Sequence, residues 1–467
     1  MRHSSVSISR RELLKLGGLG MVNLGVPGIV LARANGEPGR SKGAAPKSCI
    51  FLLLCGGPSH VDTWDMKPDA PEEIRGPYKA IATKVPGMRI SELHTRLAKL
   101  TDRFCLIRSM THPGNISNHF DAMHNLLSGQ AGAPQDSPYL GSILSKLRPT
   151  QRNVASYVWL IKCVGDPVFC APNIGTGGSL GAAYAPLFVG SADNHPAMPN
   201  FQPPDVFTAR DSSKRMQGRL QLLDGLDRSA GSSSEPETAK EWRDLHRHAF
   251  DLATTSEARQ AFEVDREDPR VRDRYGRHPL GQNLLLARRL VEAGVGFVTV
   301  NGWTGKAPGE KLGGPPSSSW DMHGSNMGMG NAFGNGSYGM GYCLPCLDEA
   351  LSALLTDLDE RGLLESTLVV AMGEFGRTPN IIKGENPGRQ HWPQCYSAIL
   401  AGGGIRGGAV YGESDKIAAA VKDNPVRPQD LAATIYHALD VSLEAKPSKE
   451  GAKQALTTGE PILELFG

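Results

Sequence analysis

Thr367-Leu-Val-Val-Ala-Met-Gly-Glu-Phe-Gly-Arg-Thr-Pro-Asn-Ile-Ile-Lys-Gly-Glu-Asn-Pro-Gly-Arg-Gln-His-Trp392 is the stretch whose reading decides the fold. Its first six residues, Thr367 to Met372, form a β-branched apolar run of the kind that makes a buried strand. The run empties into Gly373-Glu-Phe-Gly-Arg-Thr-Pro379, where glycines permit tight backbone and Pro379 blocks a helix. Open α/β sheets place their ligands just past the C-terminal ends of parallel strands. Glu374, Arg377 and His391 fall there. Read alone, the stretch is equally compatible with a loop in which Glu374 and Arg377 only bridge each other.

Outward from this strand, the pattern repeats. Cys49 to Cys55 is a continuous apolar run, expected as a central strand buried on both faces, and Gly56-Gly-Pro-Ser-His-Val-Asp-Thr-Trp-Asp65 follows it. Phe104–Met110 reads as a second strand after a helix over about 93–101. Thr111-His-Pro-Gly-Asn-Ile-Ser-Asn-His119 comes next, with a helix starting near Asn118 and ending at Gly129. Gly281–Glu292 is an amphipathic helix closed by Gly294, Gly296–Asn301 a strand, and Trp320-Asp-Met-His-Gly324 lies beyond it. Leu344–Arg361 reads as a helix, Tyr396–Ala401 as a strand and Pro428–Leu439 as a late helix. The alternation is that of an α/β protein, one large domain over 49–467. Residues 163–237 are rich in Pro, Gly and Ser and read as an irregular insertion, followed by a polar helix over about 236–261.

The N-terminus predicts export. Ser9-Arg-Arg-Glu-Leu-Leu-Lys15 resembles a twin-arginine signal, followed by an apolar stretch to Leu31 and a small-x-small cleavage site at Ala32-Arg-Ala34. Gly and Pro27 interrupt the apolar stretch, which is short for a membrane span. Cleavage after Ala34, followed by a flexible lead-in over 35–48, gives the expectation of a periplasmic or secreted protein carried out by the twin-arginine translocase. Loss of five basic residues and one acid takes the formal net charge from +2 to −2, so nothing electrostatic points to nucleic acid or a membrane surface. Of the 8 cysteines, Cys343-Leu-Pro-Cys346 alone has a thioredoxin-like spacing. It lacks a surrounding redox signature, so a structural disulfide or two packed thiols is the expectation.

Four strand-exit loops hold the acids and histidines: His60, Asp62 and Asp65; Thr111 to His119; Asp321 and His323; Glu374 and His391. Carboxylates supply charge and neutral imidazoles directional lone pairs, which is what a divalent metal site needs. The expected metal ligands are His60, Asp62, Asp321, His323, Glu374 and His391.

Gly56-Gly-Pro-Ser-His-Val-Asp-Thr-Trp-Asp65, Trp320-Asp-Met-His323, Gly373-Glu-Phe-Gly-Arg-Thr-Pro379, His391-Trp392 and Ala401-Gly-Gly-Gly404 together resemble the DUF1501 family. These are exported bacterial proteins, numerous in planctomycetes, grouped with the alkaline phosphatase/sulfatase superfamily. The resemblance covers essentially the whole mature chain. It implies a sulfatase-like three-layer α/β/α sandwich with a mostly parallel central sheet, and hydrolysis of phosphate or sulfate esters beside one or two divalent metals (zinc, calcium or manganese). Leu126-Leu-Ser-Gly129 resembles the end of the sulfatase nucleophile motif, but the nucleophile position falls on His119. Cys170-Ala-Pro-Asn-Ile lacks the arginine of a formylglycine sulfatase. The superfamily's late Asp-His appears as Glu374-Phe375. If the chain is an enzyme, the resemblance implies Ser117, Thr111 or a metal-bound water assisted by His119 as attacking group, His119 alternatively as ligand or nucleophile, and Arg377 as anion clamp. The substrate class would be a small-molecule or polysaccharide ester. The competing expectation is a non-catalytic exported binding protein on the same fold, with a structural or degenerate metal site.

Overall fold

The computed structural model describes residues 47–114, 116–161, 171–204, 256–311, 318–447 and 455–467, with isolated positions between 218 and 225. The signal, the cleavage site, most of the lead-in, Cys163, Cys170 and the first part of the 236–261 helix lie outside the described residues.

Eight strands make the central sheet: β1 (Ser48–Leu53), β2 (Phe104–Met110), β3 (Tyr157–Leu160), β4 (Leu187–Val189), β5 (Phe297–Asn301), β6 (Thr367–Met372), β7 (Tyr396–Ala401) and β8 (Val410–Tyr411). Their order across the sheet is β8-β2-β7-β6-β1-β5-β3-β4. β1 lies at the middle, parallel to β6 on one side and to β5 on the other, with Leu53 opposite both Met372 and Asn301. Only β7 runs antiparallel, against β2 and β6. The continuous apolar runs are explained by this placement. Ile50, Leu52, Val369 and Ala371 face one core; Phe51, Leu53, Val370 and Met372 face another on the opposite side. A strand covered on both faces has no polar side to show.

Helices fill both layers. α3 (Pro279–Ala293) and α4 (Met340–Glu360) supply one core, with Leu284, Leu290, Leu347, Leu351 and Leu358 buried. α1 (His119–Ser128), α2 (Leu140–Leu147) and α5 (Pro428–Ala438) supply the other. The fold is thus a three-layer α/β/α sandwich with a mostly parallel sheet, as the resemblance implied. α1 starts and stops where its sequence says. The Asn118 side chain accepts from the Asp121 amide, and Gly129 closes the helix at φ 67°.

Three local expectations differ. The helix read over 93–101 is two short 3-10 turns, Leu97–Lys99 and Thr101–Arg103. There Asp348 of α4 takes the amides of Arg96 and Leu97 at 2.9 and 2.8 Å, so a tertiary partner replaces the helical one. α4 begins at Met340, four residues before the expected start, running through Pro345. Within the stretch read as irregular, Leu187–Val189 pairs with β3 and forms a sheet edge. Cys343 and Cys346 are free thiols. Burial pushes both upward, Cys346 to about 12, the opposite of a redox thiol.

Candidate metal centre

The C-terminal ends of β6, β1 and β5 lie side by side, that of β2 points the same way on the far side of the antiparallel β7, and the exit loops of all four meet above the sheet. β1 leaves through Gly56 at φ 115°, with a Cβ at that position lying 2.5 Å from the Asp321 amide nitrogen. Only glycine allows this approach. The Gly56 amide donates to Glu374 at 2.9 Å (Oε1) and 3.2 Å (Oε2), joining the loop after β1 to the loop after β6. The loop after β2 delivers His119 as the first residue of α1, and its Nδ1 lies 2.6 Å from Glu374 Oε1. The loop after β5 delivers Asp321, whose Oδ2 is 3.5 Å from His119 Nε2.

A two-residue antiparallel hairpin, Gly376–Arg377 against His391–Trp392, brings His391 to the same place. His391 Nδ1 is 2.6 Å from the Ser117 carbonyl oxygen, an atom that can only accept. The proton therefore sits on Nδ1, and Nε2 carries the lone pair. Nε2 is buried and has no hydrogen-bond partner among the described residues. The His391 ring stands edge-on to His119 and His323, with centroids 4.4 and 4.5 Å away. The ligand atoms of His119, Asp321 and His391 all lie within 4.8 Å of one another.

The same logic orients His119. Glu374 accepts, so Nδ1 donates and Nε2 is turned to Asp321. Two imidazole nitrogens and one carboxylate oxygen, with each imidazole fixed from behind by an oxygen acceptor, fit a divalent metal ion.

The charges agree with this. Burial pushes His391 down to about 3, helped by Arg377 and His119, so it is neutral and available. Burial also disfavours the charged form of His119, but its hydrogen bonds to Asp321 and Glu374 outweigh that and raise its pKa. A positive charge wedged between two carboxylates is favoured, and a proton on His119 supplies it. Burial opposes ionisation of Asp321, yet the Arg377 guanidinium and the hydrogen bonds from His119 and His323 hold it well below the usual carboxylate range.

Of the ten residues singled out, the structure brings His119, Asp321 and His391 together as ligand-bearing groups, with Glu374 and His323 in contact with them. Glu374 stands behind His119, both its oxygens being met by the Gly56 amide and Oε1 also by His119 Nδ1. His323 Nδ1 bonds Asp321 Oδ1, since a carboxylate must be met by a donor; this leaves its 3.4 Å approach to Arg377 Nη1 a contact between two donors.

Asp62 departs from the expected ligand role. Both its oxygens are held by Arg389, at 2.7 Å (Nε) and 3.1 Å (Nη2), in a pair with no solvent exposure. His60 lies apart as well, its Nε2 at 2.8 Å from the Ala418 carbonyl oxygen. Arg377, expected as an anion clamp, spends its donors inside the protein. Its Nε donates to Gly57 O at 2.9 Å, Nη1 to Arg389 O at 3.1 Å, and Nη2 to Gly56 O and to Asp321 Oδ1 at 3.0 Å. Being fully buried, it has no face left for a substrate, and its ion pair is with Asp321 rather than Glu374. Thr111 is half-buried, its amide bonded to Val426 O at 2.8 Å, with no hydrogen bond to the cluster. Ser117 is exposed beside it, tied through its carbonyl to His391.

Sequence reasoning missed Arg389, although it stands two residues before His391, and His112, although it follows Thr111. His112 donates through Nε2 to the Glu374 carbonyl oxygen at 2.5 Å and stacks on Tyr396. Backbone carbonyl partners leave no signal in a sequence.

Solved structures similar to this chain include the PsFucS1 sulfatase from Pseudoalteromonas sp., at 13% identity and TM-score 0.38, covering 91% of this chain and 72% of that one. Alkaline phosphatase from the Antarctic bacterium TAB5 has 11% identity and TM-score 0.36, covering 85% and 99%. The phosphonate monoester hydrolase SpPMH from Silicibacter pomeroyi has 10% identity and TM-score 0.36, covering 90% and 76%. No curated protein matches. The family model described as "Protein of unknown function (DUF1501)" matches residues 46–466, nearly the whole described chain, and the protein belongs to that family.

Proposed function

We propose that this chain is an exported, metal-dependent hydrolase of phosphate or sulfate esters. The observation that carries the reading is His391: its Nδ1 proton is committed to the Ser117 carbonyl, and its buried, unpartnered Nε2 sits in one cluster with His119 and Asp321. These three residues would hold the ion, with Glu374 fixing His119 from behind. Bound there, a divalent ion would polarise the ester oxygens and lower the barrier to attack. Two nitrogens and one oxygen favour zinc, or manganese after it, over calcium, which takes oxygen ligands.

The chain's own groups supply the rest. Ser117 offers an exposed hydroxyl two residues before His119, at the start of α1, where the helix N-terminus favours an anionic group. A water at the same place is the other attacking group. His323, anchored to Asp321 through Nδ1, keeps its second ring nitrogen for proton transfer at the edge of the cluster. Arg377 holds Asp321 in place. Export rests on the twin-arginine pattern before Ala34; among the described residues no helix is long and apolar enough to cross a membrane. A small-molecule or polysaccharide ester is the substrate class.

The second reading, a non-catalytic binding protein, draws on one observation: among the described residues, no serine or threonine hydroxyl is hydrogen-bonded to Asp321 or His391. The test is metal content together with hydrolysis of p-nitrophenyl phosphate and p-nitrophenyl sulfate, for the wild type and a folded His391→Ala variant. The wild type is expected to retain a divalent ion and hydrolyse one of the esters, with both losses in the variant exceeding roughly 100-fold. A wild type that retains metal but leaves both esters intact moves the reading to a binding protein. One that takes up no metal overturns it.

A further inference from the structure

The carboxylate oxygens around the site can be followed one by one. Asp62 gives both to Arg389. Asp65 Oδ1 lies 3.0 Å from Lys67 Nζ, and its Oδ2 accepts from the Ser414 hydroxyl. Glu374 takes the Gly56 amide on both oxygens and the His119 imidazole on Oε1. Asp321 Oδ1 is held by Arg377 and His323. Among the described residues, what remains is a single carboxylate oxygen whose one partner is a candidate ligand atom: Asp321 Oδ2, 3.5 Å from His119 Nε2.

Paired divalent ions sit about 3.5–4 Å apart and need several shared or separate oxygen ligands between them. Among the described residues of these loops, the carboxylate oxygens followed above do not make that supply. We propose that the chain binds one divalent ion, on His119, Asp321 and His391, and that Arg377 occupies the place of a second cation by neutralising the other oxygen of Asp321. The inference rests on the metal-dependent reading above. Arg389 does for Asp62 what Arg377 does for Asp321. Both guanidiniums are fully buried and, besides their carboxylates, are held by backbone carbonyls: Gly56, Gly57 and Arg389 for Arg377, and Ile74, Thr378 and Pro379 for Arg389. A second ion recruiting Asp62 or Asp321 Oδ1 would leave a buried guanidinium without its counter-charge, which is strongly unfavourable.

The experiment counts ions. The mature protein, stripped with a chelator and dialysed against zinc or manganese salts, is analysed for metal per chain, and affinity is read by competition with a chromophoric chelator. One ion per chain is expected. The count is expected to be unchanged in Asp62→Asn, with affinity more than roughly 100-fold weaker in Asp321→Asn, beyond the range seen for outer partners. Two ions per wild-type chain overturn the single-ion inference and leave the hydrolase reading standing. Loss of the ion in a folded Asp62→Asn variant also overturns it; should that variant not fold, the wild-type count decides. A wild type that takes up neither metal sinks the metal-dependent reading itself, and this inference with it.

Discussion

At Glu374 one buried carboxylate serves two donors, the Gly56 amide and the His119 imidazole, while its own carbonyl accepts from His112. The residue thereby fixes which ring nitrogen of His119 faces Asp321. Replacing Glu374 by Gln keeps the volume but removes the charge, and its amide nitrogen must face one of two donors. The expected result for Glu374→Gln is zinc binding weakened about 10–100-fold, as for outer partners of metal ligands, with the fold retained. Chelator competition on wild type and variant measures this; equal affinity would show that Glu374 does not orient His119. At this scale the sequence was informative about which residues gather and silent about which atoms they use. Glu374, Asp321, His323 and His391 follow glycine-led strand exits, and that placement was legible. That Nε2 of His391 is the free nitrogen depends on the Ser117 carbonyl, which any residue at 117 would also carry.

The short hairpin that presents His391 is too small to hold itself, with two residues in each strand. Arg389, two residues before His391, stabilises it. The guanidinium reaches Asp62 and Ile74 in the segment after β1 and the carbonyls of Thr378 and Pro379 in the loop after β6. Truncation to Met would leave Asp62 buried and uncompensated and three carbonyls without donors. Arg389→Met is expected to lose about 3–5 kcal/mol of stability, read from urea denaturation, with the midpoint falling and the slope unchanged. A loss below about 1 kcal/mol would mean that Asp62 finds another partner or water. Long elements needed no such help to be legible. β1, β2, β6 and β7 are six- or seven-residue runs with one composition throughout, and α3 carries Gly294 at its end. β3 and β4, at four and three residues, are too short for a period to show, and β4 lies in glycine-rich chain.

Across the whole molecule, the two cores are visible in the sequence once β1 is taken as central, because its alternate residues feed opposite layers. What burial does to the histidines is not visible, and it sets the response to acid. His94 is fully buried against Trp64, neither ring nitrogen has a hydrogen-bond partner among the described residues, and the Asp348 carboxylate 3.8 Å away is occupied by the Arg96 and Leu97 amides. Burial lowers its pKa from 6.5 to about 3. His391 is likewise lowered to about 3 and His278 to about 4, while His60 and His112 move the same way. Between 6.5 and these folded values, the unfolded chain binds protons that the folded chain refuses, so stability is complete above about pH 6.5 and falls as pH drops. His94 alone accounts for about 2 kcal/mol lost by pH 5. His119 has the opposite sign: its raised pKa adds stability that is present in acid and lost as pH rises through the folded value, which offsets part of the slope. Metal-free protein is therefore expected to show a urea midpoint that falls steadily from pH 7 to pH 5. A His94→Leu variant, which carries no titrating ring at that site, should show a shallower fall. A wild-type midpoint that is flat or rises toward pH 5 would mean that protons enter the folded core as easily as the unfolded chain, contrary to the packing around His94.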